Sequence, residues 1–233
     1  MKNKVISVIV NIVLCLVIVS VSVVGFVGGE ATQVTGDGEN VFYRAENGKG
    51  VSLMFNVYQN TDNVYAIMDI LDEYSAKATF FLGGSWADDN IACVRDIYAR
   101  GHAVGSHGYF HKDHSKMNYE LNLAEIRPSV KLLNAMLGQE ITLFAPPSGA
   151  YNDGTVTAAA SLGLKTIMWS RDTIDWRDND VNLVYNRATK NLENGEFILM
   201  HPMDVSVKAL PNILQYIREN GLSAVTVSYN LGE

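Results

Sequence analysis

Four of the five histidines lie in two short segments that follow apolar runs. His107, His111 and His114 belong to GSHGYFHKDHSK, and His201 directly follows FILM. His107 and His111 are four residues apart, so one helical turn would direct both imidazoles to one point, as a metal site requires. Histidines with this spacing in a loop are more often surface residues, and the same alternative applies to His114.

His201 and a carboxylate upstream of it are the second candidate group. A titratable residue at the end of an apolar run is poorly explained by packing, although a hydrogen-bonded core histidine is the alternative. Asp175, in SRDTIDWRD, is a candidate to orient His201 and stabilise its charge; the alternative is a solvated acidic loop over residues 172–180. Trp176 is more often a core residue than a substrate platform. We expect His102, which precedes its strand, to be structural.

The elements that must position these residues are apolar runs alternating with helical patterns. The strand candidates are Val51–Asn56, Ala78–Leu82, Ala103–Ser106, Ile141–Phe144, Lys165–Trp169, Phe197–Met200 and Ala224–Val227. About seven strand–helix repeats predict an α/β fold with a parallel sheet, either open or closed as a barrel. In a βα barrel the functional groups gather at the carboxyl ends of the strands, and most of the candidates follow a strand.

Two classes of partner are excluded by motif and charge. No GxGxxG or GxxxxGK[ST] segment follows a strand candidate, so a nucleotide site has no support. Lys2 and Lys4 precede Gly29, and the other 16 of the 18 basic residues follow it together with all 25 acidic ones, giving this part a formal charge of −9. That balance argues against binding of nucleic acid or anionic lipid.

The first 29 residues predict membrane targeting. MKNK is followed by an apolar run over residues 5–27, which is nearer in length to a spanning helix than to the core of a cleaved signal peptide. We therefore expect a signal anchor first and a cleaved signal second. The basic end stays cytoplasmic, so the rest of the chain is expected on the extracellular side of the membrane, or secreted. Residues 30–48 are polar and without a period, which predicts a linker, and residues 49–230 form the predicted domain.

Five segments, taken in order, resemble the polysaccharide deacetylase, or NodB-homology, family of carbohydrate esterases. They are SLMFNVYQ, ATFFLGG with GHAVGSHGYFH, FAPPSGAY, SRDTIDW and ILMHP, and the similarity covers about residues 49–229. The resemblance implies a distorted (β/α)7 barrel. It also implies a divalent metal, zinc before cobalt, nickel or manganese, that activates water for attack on an acetyl carbonyl.

The resemblance assigns roles to individual residues. His107 and His111 match the metal-binding imidazoles, and His201 matches the general acid that protonates the departing amine. Asp175 matches the carboxylate that keeps this acid protonated and aligned. The expected substrate pocket consists of Trp176, Leu199, Tyr58 and the backbone N–H of Ser148.

Three positions depart from the family pattern. The first motif usually reads Thr-Phe-Asp-Asp-Gly, with a base aspartate and a metal-binding aspartate, and Asn56 and Val57 stand there instead. Ala145 stands where an arginine usually pairs with the base. An arginine facing a missing carboxylate would be a buried unpaired charge, so losing both partners is a coherent double change. The Asn56 oxygen is a candidate third metal ligand, and Asp113 or Asp172 a candidate replacement carboxylate.

Two hypotheses follow. In the first, the chain is a metal-dependent hydrolase that removes acetyl groups from an N-acetylated polysaccharide, with peptidoglycan N-acetylglucosamine as the expected substrate. In the second, it is an impaired homologue that acts as a membrane-tethered domain binding cell-wall glycan. The retained acid–carboxylate pair favours the first hypothesis, and the three substitutions favour the second.

Overall fold

The computed structural model describes residues 40–233, and everything below concerns that part of the chain. The predicted membrane-targeting helix over residues 1–29 and most of the predicted linker lie outside the described residues. Among residues 40–233, no helix combines the length and apolar character needed to cross a membrane.

Eight strands form one sheet in which every ladder is parallel. The strands are β1 (Val41–Phe42), β2 (Ser52–Val57), β3 (Thr79–Leu82), β4 (Ala103–Ser106), β5 (Leu143–Phe144), β6 (Lys165–Ile167), β7 (Arg171–Asp172) and β8 (Phe197–Met200). Their order across the sheet is β1-β6-β5-β4-β3-β2-β8-β7. Because all ladders are parallel, the carboxyl ends of the strands meet at one edge.

Helices follow most of the strands and cover the outer face of the sheet. They are α1 (Thr61–Glu73), α2 (Gly84–Asp89), α3 (Ile91–Ala99), α4 (Tyr119–Leu137), α5 (Asp153–Ser161), α6 (Val181–Thr189), α7 (Asp204–Glu219) and α8 (Val227–Asn230). Pro128 lies inside α4, which ends at Gly138 in the left-handed conformation that glycine adopts most cheaply.

The α/β architecture is confirmed, and the predicted distorted (β/α)7 barrel is present as a curled, open parallel sheet of eight strands in the described residues. Six of the seven strand candidates form strands. The predicted strand Ala224–Val227 is wrong: Ala224 forms a single bridge with Val51, and the Thr226 side chain then caps α8. Within residues 40–233, the edge strands β1 and β7 are not paired with each other, so the sheet is open.

Two strands were not predicted, and one of them corrects a boundary. β1 pairs with β6 through Val41 opposite Thr166 and Phe42 opposite Ile167, so the sheet begins inside the predicted linker over residues 30–48. β7 is polar and two residues long. Strands this short carry too few residues for alternation to be detected.

The strands separate two apolar clusters because successive side chains point to opposite faces. In β2, Leu53, Phe55 and Val57 pack in the outer cluster between sheet and helices. Met54 packs in the inner cluster on the concave face, with Phe81, Leu143, Ala145, Ile167, Phe197 and Leu199. The inner cluster forms the floor beneath the carboxyl ends of the strands.

Candidate active site

A cavity of about 280 Å³ opens above the inner cluster, at the carboxyl ends of the strands. Its lining consists of Asn56, Tyr58, His107, His111, Ser148, Trp169, Asp172, Trp176, Leu199 and His201. Eight of the nine predicted site residues therefore share one cavity, and the ninth, Asp175, lies directly behind His201. Asp172, a candidate replacement carboxylate, also lines the cavity, and Trp169 joins the site although it was not assigned to it from the sequence.

His107 follows β4 and is held by the neighbouring strands. Its backbone N–H donates to the Leu82 carbonyl at 2.9 Å, and its Nδ1 lies 2.7 Å from the Ala145 carbonyl. Because a carbonyl only accepts, Nδ1 carries the proton and Nε2 keeps its lone pair. Burial, together with the charge of nearby His111, lowers the pKa of His107 well below its usual value. The ring is therefore neutral and able to bind a metal.

His111 reaches the same cavity through a bent loop. Gly108 and His111 have φ values of 72° and 55°, so the predicted helical turn between the two histidines is wrong. The rings of His107 and His111 nevertheless lie 5.1 Å apart between centroids. Glu125 of α4 accepts a hydrogen bond from the Phe110 N–H and so fixes the loop. Burial lowers the pKa of His111 as well.

The two residues that replace the family's aspartates face opposite ways. Asn56 is 2 % exposed and lines the cavity, and its Oδ1 is a buried acceptor without a hydrogen-bond partner in the described part of the chain. Val57 is fully buried in the outer cluster and does not line the cavity. The first motif thus contributes one neutral oxygen to the site.

Asp175 holds His201 from behind. Its Oδ1 lies 2.8 Å from His201 Nδ1, and its Oδ2 accepts from the His201 backbone N–H at 2.7 Å. The Ser206 hydroxyl donates to the same Oδ2. The Asp175 side chain is fully buried, so these donors take the place of solvent. Ser206 lies five residues beyond His201 in DVS, and the sequence contains no spacing signal that marks it.

His102, His114 and Asp113 do not line the cavity. His102 is buried and accepts from the Ala78 N–H at 3.4 Å, as expected of a structural histidine. His114 is not a surface residue: it is fully buried, and its Nδ1 lies 2.6 Å from Asn122 Oδ1. Asp113 pairs with Lys116 at 2.8 Å and does not line the cavity, which leaves Asp172 as the cavity-lining candidate carboxylate.

The remaining pocket residues differ in exposure. Trp176 is 56 % exposed, so it is a surface residue rather than a core residue, whereas Leu199 is buried in the inner cluster. Ser148 lines the cavity with a φ of 56°, an uncommon value for a residue other than glycine. Ala145 is fully buried, and its side chain belongs to the inner cluster.

The donors in this cavity fit a divalent metal, but as a site without a carboxylate ligand. Two neutral imidazoles and the unpartnered Asn56 oxygen line the same space. Among residues 40–233, no group of three His, Cys, Asp or Glu side chains is arranged to hold a metal. A set of two nitrogens and one neutral oxygen binds zinc more weakly than a set that includes carboxylates.

Comparison with known proteins decides the family. The profile of the polysaccharide deacetylase family matches residues 43–167, which is more than half of the chain. The chain belongs to the polysaccharide deacetylase family. Members of this family are hydrolases that act on carbon–nitrogen bonds, and they generally depend on a metal.

Sequence relatives within the family include proteins of different length. The chain is 31 % identical to the uncharacterized protein YlxY of Bacillus subtilis over 183 residues, which are 78 % of this chain and 57 % of YlxY. It is 30 % identical to a peptidoglycan-N-acetylglucosamine deacetylase of Bacillus cereus over 188 residues, 78 % of this chain and 88 % of that protein. The chain thus spans little more than half of YlxY.

Solved structures of the family include both active and inactive proteins. A CE4 family pseudoenzyme from Bacillus anthracis aligns with a TM-score of 0.79 at 30 % identity, covering 83 % of this chain and 69 % of that one. A mutant of that pseudoenzyme with restored enzymatic activity aligns equally well, at 28 % identity over 83 % of this chain and 71 % of that one. Because the family includes both kinds of protein, the activity of this chain depends on its own site residues.

Proposed function

We propose that this chain is a metal-dependent hydrolase that removes acetyl groups from an N-acetylated polysaccharide, with peptidoglycan N-acetylglucosamine as its substrate. The observation that carries the proposal is the buried Asp175–His201 pair, which lies beside two neutral imidazoles in one cavity. A buried carboxylate with three donors is costly to build and serves a general acid well.

The metal would be held by His107, His111 and the Asn56 oxygen. A metal held by these residues would supply Lewis-acid activation of the acetyl carbonyl and of the attacking water. Zinc suits imidazole ligands best, and cobalt, nickel or manganese are the alternatives in this proposal.

The chain itself supplies the proton and holds the substrate. His201 donates the proton that the departing amine requires, and Asp175 keeps its ring oriented with the proton-bearing nitrogen towards the cavity. The Ser148 backbone N–H is assigned to the developing oxyanion. Leu199 forms the apolar wall against the acetyl methyl group, and Trp176 and Tyr58 form the walls nearer the solvent.

The expected rate is low because the site has no general base at position 56. Removal of a general base typically costs about 10²–10⁴-fold in rate. The peptidoglycan assignment is supported by the similarity to the peptidoglycan-N-acetylglucosamine deacetylase of Bacillus cereus. An anchored location on the outer face of the membrane, predicted from residues 5–27, completes the proposal.

A second candidate is a glycan-binding domain without turnover. It is favoured by Val57 and Ala145, which are buried in the two apolar clusters. Neither side chain can supply the charged group that the family has at these positions. The pseudoenzyme among the similar structures is consistent with this candidate.

Acetate release separates the two candidates. The purified full chain is incubated with N-acetylglucosamine oligomers or peptidoglycan, with added zinc and with a chelator, and acetate is measured. The proposal predicts slow release that the chelator and His201→Ala both abolish. If no acetate is released, or if His201→Ala releases as much as the wild type, the hydrolase proposal is refuted and the glycan-binding domain is the remaining candidate.

A further inference from the structure

Three buried polar residues on one face of α4 contact the loop that carries His107 and His111. They lie three and four residues apart, as neighbours on a helix face do: Asn122, Glu125 and Ser129. At the start of the loop, the Ser106 hydroxyl donates to Ser129 Oγ at 2.9 Å. At its other end, His114 Nδ1 lies 2.6 Å from Asn122 Oδ1. The two ends of the loop are thus held by uncharged side chains, and the charged residue of the three contacts the middle.

Glu125 lies against the segment between the two histidines that are proposed to bind the metal. Its carboxylate accepts a hydrogen bond from the N–H of Phe110, the residue before His111. It also packs against the residue after His107, since a Cβ added at Gly108 would lie 3.6 Å from Glu125 Oε1. One carboxylate therefore contacts the neighbour of each histidine, in a loop where Gly108 and His111 both have positive φ values.

The negative charge of Glu125 is not explained by these contacts. The residue is 5 % exposed, and no Lys, Arg or His side chain among residues 40–233 forms an ion pair with it. A glutamine would accept the hydrogen bond from Phe110 as well, without the cost of burying a charge. Because buried carboxylates are usually paired with a cation, the charge favours a cation close to this loop.

The proposed metal ligands lack the negative charge that Glu125 has. His107 and His111 are neutral imidazoles and Asn56 contributes a neutral oxygen, so a divalent ion held by them would keep both of its positive charges. Groups outside the coordination sphere also tune the affinity of a metal site. The charge of Glu125 reaches the His111 ring, where it opposes the lowering of the His111 pKa, of which burial is the largest cause.

We propose that Glu125 is a positioning residue for the metal. From outside the coordination sphere, it supplies the negative charge that Asn56 and Val57 do not provide, and it holds the His111 loop against α4. The inference rests on the proposed function in that a divalent metal binds at His107 and His111, but it does not require that the site release acetate.

Zinc affinity and metal-free stability should respond differently to the loss of this charge. Glu125→Gln keeps an acceptor for the Phe110 N–H and removes the charge. We expect its zinc affinity, measured on the full chain by competition with a chromogenic chelator, to fall about 10- to 100-fold, as is typical when a group outside the coordination sphere is lost. Urea denaturation in EDTA should show that this variant is at least as stable as the wild type, because it no longer buries an unpaired charge.

Cobalt binding and a matched control separate the charge from the ligands. The Co²⁺ complexes of wild type and Glu125→Gln should have the same visible absorption bands, because both keep the same ligands. Glu140→Gln removes an equal charge from an exposed position just beyond α4, where solvent screens it, so zinc affinity should not change.

The proposed role of Glu125 is refuted if Glu125→Gln binds zinc as tightly as the wild type. It is also refuted if the metal-free variant loses stability together with zinc affinity, since Glu125 would then be a structural residue. A wild type that binds no zinc refutes the metal site of the proposed function as well, so the two failures are distinguishable. Weaker zinc binding with undiminished metal-free stability supports the proposal, whether or not acetate is released.

Discussion

Three neighbouring histidines differ in whether their rings line the cavity, and this difference predicts which of the three bind zinc. His107 and His111 line the cavity, whereas the His114 ring is buried and its Nδ1 contacts Asn122. His107→Ala and His111→Ala should each weaken zinc binding at least tenfold, because either change leaves one imidazole. Zinc affinity measured by competition with a chromogenic chelator checks this result. His114→Ala, the matched control, should retain wild-type affinity; loss of zinc in this variant alone would contradict the ligand assignment.

Asn56 and Val57 are adjacent, yet restoring an aspartate should have opposite effects at the two positions. Asn56→Asp places an anionic ligand in the cavity, so it should raise zinc affinity. Val57→Asp buries a carboxylate in the outer cluster, where it should lower the free energy of unfolding by several kcal/mol in the absence of metal. Urea denaturation and zinc titration of the two variants check this. Equal effects of the two changes would show that both side chains reach the cavity.

The sequence was informative about the site for residues whose chemistry differs from their surroundings. His201 can be found as an exception to the apolar run FILM, whereas Asp175 lies in an acidic segment and is assigned by the resemblance of SRDTIDW to the family. Ser206 and the orientation of Val57 could not be found in this way. Ser206 is an ordinary residue of a helix that contacts Asp175 only after folding, and the face taken by Val57 depends on how far β2 continues its alternation.

At the scale of elements, the segment that carries Asp172, Asp175 and Trp176 is fixed by a pair of charges. Arg171 of β7 donates to Glu196 at 2.7 Å, and its other nitrogens bond the carbonyls of Lys190 and Asn191. Both side chains of this pair are largely buried. The short strand β7 is therefore held by side-chain contacts, since two residues of ladder supply few backbone bonds.

Removing this arginine should destabilise the protein strongly. Arg171→Met is expected to lower the free energy of unfolding by about 3–5 kcal/mol, because it leaves the buried Glu196 carboxylate without its partner. Arg177→Met is the matched control, since Arg177 pairs with Asp178 at an exposed site and such pairs contribute about 0–1 kcal/mol. Urea denaturation measures both. Similar losses in the two variants would refute a role for Arg171 in fixing β7.

The elements were predictable where hydrophobic runs are long enough. β2, β3, β4 and β8 have four to six mostly buried residues each, and the sequence locates each strand within a residue or two. β1 and β7 have two residues each, and their pairing depends on neighbours that are distant in the chain. The run at residues 224–227 has strand composition, but the Thr226 cap begins a helix there.

At the scale of the whole molecule, buried histidines predict sensitivity to acid. Burial lowers the pKa of His102 from 6.5 to about 4, and it also lowers the pKa values of His107, His111 and His114. The unfolded chain therefore binds protons below pH 6.5 that the native protein excludes, and stability is lost as the pH falls from about 6.5 towards 4.

The His102 contribution can be isolated. His102 alone accounts for on the order of 2–3 kcal/mol over this pH range, from the shift of its pKa. Urea denaturation at several pH values should show that His102→Gln reduces the acid loss by about this amount. The Lys112→Gln variant, which changes an exposed residue, serves as the control. An unchanged pH dependence in His102→Gln would contradict the neutral buried state of this ring.

The central claim is that His201, oriented by Asp175, acts as the general acid of deacetylation in a site where Asn56 replaces the general base. Zinc-dependent acetate release from N-acetylglucosamine oligomers, measured for wild type, Asn56→Asp and each of these with His201→Ala, tests it most directly. We predict slow release by the wild type, release raised by about 10²–10⁴-fold in Asn56→Asp, and no release in either background once His201 is replaced. Release that Asn56→Asp does not raise, or that persists without His201, would contradict this account.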